Sequence, residues 1–81
     1  MMEKWQKSQI GSRLAYLKEH KATWESYLAQ GSTDQTYAVT CTAKILEAEA
    51  EMNGIEFVLS TLGYKAEFSK NNIGIFCEIN A

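Results

Sequence analysis

His20 is the single histidine of the chain, and histidine is the side chain whose ordinary pKa suits proton transfer near neutral pH. Placed on a helix it shares a face with Tyr16, Thr23 and Tyr27, with Trp5 and Gln9 in similar phase beyond them. Catalysis would require a nucleophile beside the imidazole and a carboxylate to orient it. Glu19 is next to His20, but neighbouring residues on a helix point apart, so the spacing supplies neither partner. A polar-aromatic stripe is better suited to gripping a surface, because Tyr and His pack their rings and keep their polar tips wet. Tyr16, His20, Thr23 and Tyr27 are therefore the candidate partner-binding face. The plainer alternative is that they border a packed surface and bind nothing.

The remaining constellations carry less. One histidine and two distant cysteines, Cys41 and Cys77, give no metal-ligand spacing. Glu47, Glu49 and Glu51 recur at every second residue and cannot converge on a cation while helical; they read as a solvated border. Neither a GxxxxGK[ST] loop nor a GxGxxG turn is present to cradle a phosphate. The expectation is no enzyme, no cofactor and no metal. Lys4, Lys7, Arg13 and Lys18, with Trp5 nearby, could make a weak phosphate contact. The chain has only one arginine and a net charge of −2, however, which argues against a nucleic-acid binder.

These residues need elements to hold them. Ile10, Leu14, Leu17, Lys21, Trp24 and Leu28 fall at alternating steps of four and three, the period of a helix, predicted over about residues 4–30 with Gly31 as its C-terminal cap. Lys21 interrupts the stripe, where its alkyl stem can cover the seam. Ser32 to Gln35 reads as a capping box. After it, Tyr37, Cys41, Ile45, Ala48, Met52, Ile55, Leu59 and Leu62 form a second helical stripe over about residues 33–62, stopped by Gly63. Asn53-Gly54 is a turn signal inside that stripe. The phase is kept across it, and a mid-helix glycine costs only about 1 kcal/mol, so one continuous helix is expected.

The tail reads as a β-hairpin over about residues 64–80. Tyr64, Ala66 and Phe68 alternate with Lys65 and Glu67, Ile73, Ile75, Cys77 and Ile79 alternate with Gly74, Phe76 and Glu78, and Ser69-Lys70-Asn71-Asn72 provides the turn. The fold class is thus α+β, one domain over 1–81: a long antiparallel helix hairpin followed by a C-terminal β-hairpin (α-α-β-β). Pairing of the helices would bring Lys7 near Glu56 and Lys18 near Glu47 or Glu49.

The second helix has more apolar surface than one seam needs. Val39, Ala43, Leu46, Ala50 and Phe57 lie almost opposite the first stripe, so the helix is expected to be sandwiched. Its second neighbour is either the chain's own β-hairpin, folded over Phe57, Ala50 and Leu46, or a second copy of the chain packing through Ala43 and Ala50. The strand around Ile73, Ile75 and Phe76 reads as a sheet edge with few charges, a further place for a second chain to pair.

Composition bounds the rest. The chain has 81 residues, 46% apolar and 22% charged, which fits one small globular domain of marginal core. Charge is uneven: residues 1–30 sum to +2 and residues 31–62 to −4, suited to mutual packing of the two helices. No apolar run approaches the roughly 18 residues of a membrane span, the N-terminal residues lack a signal-peptide pattern, and two reduced thiols suit a cytoplasmic chain. The expected function is a non-catalytic protein-interaction module, a small inhibitor or adaptor of the type phages and other mobile elements carry, working as a homo-oligomer, most simply a homodimer. The alternatives are a small nucleic-acid-binding regulator using the basic first helix, and an oligomeric protein that sequesters a small ligand between protomers.

Overall fold

The computed structural model describes residues 1–31 and 34–81. It contains α1 (Lys4–Ala29), α2 (Gln35–Thr61), β1 (Lys65–Lys70) and β2 (Ile75–Asn80), which is the expected α-α-β-β order. The predicted capping box rests on Ser32, which lies outside the described residues. Among those described, Asp34 caps α2, its Oδ1 accepting from the Thr36 amide at 2.9 Å. Helix α2 runs unbroken through Asn53-Gly54. Gly54 keeps ordinary helical backbone, with open space where a Cβ would stand.

Two glycines in left-handed backbone end the helices: Gly31 at φ 75° and Gly63 at φ 84°. At the second, the Tyr64 amide donates to the Leu59 carbonyl at 2.8 Å and the Gly63 amide to the Ser60 carbonyl at 3.0 Å. This paired closure satisfies the last carbonyls of α2 and turns the chain back along the helices.

The middle of the seam between α1 and α2 is the predicted one, whereas Leu28, Tyr37 and Leu62, expected in it, are exposed. Leu14, Leu17, Cys41, Ala48 and Leu59 are buried in it, with Ile10, Ile45, Met52 and Ile55 half-buried. Lys21 spans the seam as its alkyl stem allows, its ammonium 3.1 Å from Glu49. Among the described residues the ion pairs that run between the helices are Arg13–Glu51 and Lys21–Glu49, not the expected Lys7–Glu56 and Lys18–Glu47 or Glu49. Lys7 and Lys18 instead lie over aromatic rings of the hairpin region, 5.4 Å from the Tyr64 centroid and 4.1 Å from that of Phe68. Cations on aromatic faces keep most of their hydration, which makes these contacts competitive with a surface ion pair.

Strands β1 and β2 pair antiparallel, Lys65 opposite Asn80 and Lys70 opposite Ile75. Ala66, Phe68, Ile75, Cys77 and Ile79 face the helices, as the alternation required. The turn sits two residues later than expected, over 71–74. The Asn71 side-chain oxygen accepts from the Ile73 and Gly74 amides at 2.8 and 3.2 Å, a local bond that Asn offers and a strand does not. Ile73, expected in the strand, is consequently in the turn and 87% exposed.

The hairpin packs chiefly on α1, through β2, while β1 touches α2 lightly. Gly11 makes this possible. It is buried, and a Cβ there would collide with the Cys77 carbonyl oxygen, so only glycine lets helix backbone and strand backbone come this close. The expectation that the hairpin covers Phe57, Ala50 and Leu46 is overturned: all three are exposed.

Candidate interaction site

Two faces emerge from this architecture. The first is an aromatic ladder along α1. Tyr16 stacks on His20 with ring centroids 5.6 Å apart and planes 20° from parallel. The Trp24 indole N–H donates to His20 Nε2 at 3.1 Å, and Trp24 meets Tyr27 edge-on at 5.4 Å and 90°. Thr23 Oγ1 donates back to the Glu19 carbonyl at 3.0 Å. Spacing had placed Tyr16, His20, Thr23 and Tyr27 on one face. It had assigned Trp24 to the helix seam, but the width of the indole lets one residue serve both.

Glu19, beside His20, turns away from it. Its Oε1 accepts from the Ile75 amide at 3.1 Å, capping the first strand residue after the turn. Together with the close approach of Gly11 to the Cys77 carbonyl, this bond sets α1 against β2 at Ile75 and Cys77. Ile75 is half-buried, while Phe76 and Ile73 remain exposed as side chains. Neither Gly11 nor Glu19 was recognised from the sequence. The signal for Gly11 was a lone glycine inside a strongly periodic helix, which points to a close backbone approach.

The second face is the outer seam of α2. Val39, Leu46 and Phe57 are 67%, 58% and 73% exposed, with Ala43 and Ala50 exposed between them. From Val39 to Phe57 the row is about 27 Å long at the helical rise of 1.5 Å. Its rim is acidic, but each of three carboxylates has its own cation: Glu47 with Lys44 at 3.9 Å, Glu49 with Lys21, and Glu51 with Arg13 at 2.6 Å. Beside the row, Met2, Ile10, Ile55, Val58 and Leu62 line an open groove of about 630 Å³ between the helices. Gln9, Arg13 and Glu51 stand among these aliphatic side chains.

The basic residues are dispersed rather than gathered. Arg13 holds Glu51 through two N–H donors, and Lys7 and Lys18 lie over rings, while Trp5 is exposed near the N-terminus. Cys41 and Cys77 are free thiols; Cys41 is fully buried, and burial pushes the Cys77 thiol up. Among the described residues no group of His, Cys, Asp and Glu is placed to hold a metal ion, and no helix is long and apolar enough to cross a membrane.

One pH effect follows from the rim. The Arg13 guanidinium holds the Glu51 carboxyl below its usual range. A depressed carboxyl contributes stability above its unfolded pKa, and loses it as pH falls through the lower folded value. Glu51→Gln is therefore expected to lower the urea midpoint slightly at neutral pH, with the gap to the unmodified chain closing in acid. A gap that persists at low pH would show that the pair contributes through packing instead.

No protein-family model, curated protein or solved structure matches this chain.

Proposed function

We propose that this chain is a non-catalytic protein-interaction module of inhibitor or adaptor type, working in the cytoplasm as a homo-oligomer. The observation that supports it is the bare apolar row on α2. Contiguous exposed apolar surface of this extent marks interaction sites in soluble proteins. The fold gives α2 one covered side and leaves the other uncovered, while the hairpin that could have covered it lies on α1. The ladder of Tyr16, His20, Trp24 and Tyr27 suits the target: rigid rings with polar tips supply contact area at low entropic cost.

Light scattering across a concentration series tests the assembly. The expected mass exceeds the 9.1 kDa of one chain at high concentration, and Leu46→Lys is expected to return it to that value with helix content unchanged. A single-chain mass throughout would remove the homo-oligomer from the reading. Titration of duplex DNA separates the regulator alternative: binding that weakens steeply with salt would favour it, and no binding at low salt is the expected result.

A further inference from the structure

Resting on the interaction-module reading, we infer that the occupant of the outer α2 seam is a second copy of this chain, packed antiparallel with Ala50 on the two-fold axis. Three observations carry this. The first is area. The chain exposes 5900 Å², whereas a compact monomer of its mass exposes about 4,900 Å². The excess of about 1,000 Å² is close to the roughly 800 Å² that each partner contributes to a standard interface. The shape agrees: extents of 49 × 28 × 15 Å and a radius of gyration of 14.7 Å, against about 12 Å for a compact domain of this length, describe a slab with one layer missing.

The second is size pattern. Positions 39, 46 and 53 repeat every seven residues and so do 43, 50 and 57, which is the spacing of a two-helix seam. Parallel copies would stack Phe57 on Phe57 and Ala43 on Ala43, overfilling one layer and leaving the next hollow. Antiparallel copies even the layers out. Phe57 then enters the hole formed by Val39, Thr42, Ala43 and Leu46 of the other copy. Leu46 enters that of Ala50, Asn53, Gly54 and Phe57, where the space above Gly54 is open. A large side chain meets a small one in each case, as close packing demands.

The third is charge. With Glu47, Glu49 and Glu51 each beside a cation of the same chain, the rim opposes a second copy little. A basic partner helix would find Glu49 and Glu51 already engaged by Lys21 and Arg13.

Single cysteines on the exposed seam test the geometry, with a thiol-to-thiol crosslinker that spans about the 8–10 Å between packed helix axes. Ala50→Cys is expected to give covalent dimer of twice the chain mass. Ala43→Cys is expected to give none, because its two copies would stand about 20 Å apart along the axis. The unmodified chain reports any background from Cys41 and Cys77, and circular dichroism confirms that each variant is folded. Crosslinking at both positions would mean a parallel pair and overturn the proposal. Crosslinking at neither, with an oligomeric mass retained, would overturn it too but leave the interaction-module reading standing. A monomer that another protein nevertheless engages through this seam would overturn the second copy as occupant.

Discussion

Replacing Gly11 with alanine is expected to destabilise the fold by roughly 2–3 kcal/mol, the cost of forcing extra volume into a packed contact. The sign is informative, because glycine to alanine in a helix interior ordinarily stabilises by about 0.5–1 kcal/mol. The same chain supplies the control. Gly54 is also mid-helix, has ordinary backbone, and has nothing of its own chain within 4 Å of the point where a Cβ would stand, so at concentrations that keep the chain single Gly54→Ala should follow the ordinary rule. At Gly11 the added methyl meets the carbonyl oxygen of Cys77, which is backbone and cannot swing aside as a side-chain end would. Relief requires α1 and β2 to separate, and with them Ile79 and Leu14, which share one core. Urea unfolding of the two variants under identical conditions should show midpoints displaced in opposite directions. A neutral Gly11→Ala would mean that the hairpin does not sit against α1 as described.

That pair of glycines also shows which parts of the fold could be read from residue order. Periodicity is a local property, so the continuity of α2 across Asn53-Gly54, the buried Leu14, Cys41 and Ala48, and the inward faces of both strands all followed from spacing. Where the hairpin docks is not local. It is set by the absence of a side chain at Gly11 and by two lysines that cover Tyr64 and Phe68, and neither carries an apolar signature. Charge pairing misled for a related reason. Lys7 and Lys18 had carboxylates at plausible positions, but an ion pair in water is worth too little to compete with ring faces the hairpin brings within reach. The turn moved because one Asn71 side chain can satisfy two amides at once. In the ladder, the spacing of Tyr16, His20, Thr23 and Tyr27 was legible, whereas the hydrogen bond that ties Trp24 into it depends on a rotamer.

Truncating Leu14 to alanine should have the largest effect of all, a loss of roughly 3–5 kcal/mol, as for other fully buried leucines. Leu14 has no exposed surface and meets Leu59 of α2 and Ile79 of β2, so the cavity opens where the helix pair and the hairpin join and no single element can collapse to fill it. A domain of this size is stable by only about 4–12 kcal/mol, so the variant should be partly unfolded at room temperature or close to it. Leu46→Ala removes the same atoms from a residue that is 58% exposed. Within one chain that change should cost little. If a second copy seals the seam, its cost must depend on protein concentration, because association adds to the stability of the folded state by mass action. Unfolding midpoints measured over a wide concentration range therefore separate the two leucines: the deficit of Leu14→Ala should be present at every concentration, and that of Leu46→Ala should grow as the chain is concentrated. A constant, small Leu46→Ala deficit would show the outer seam to be solvent-facing in the working state of the protein.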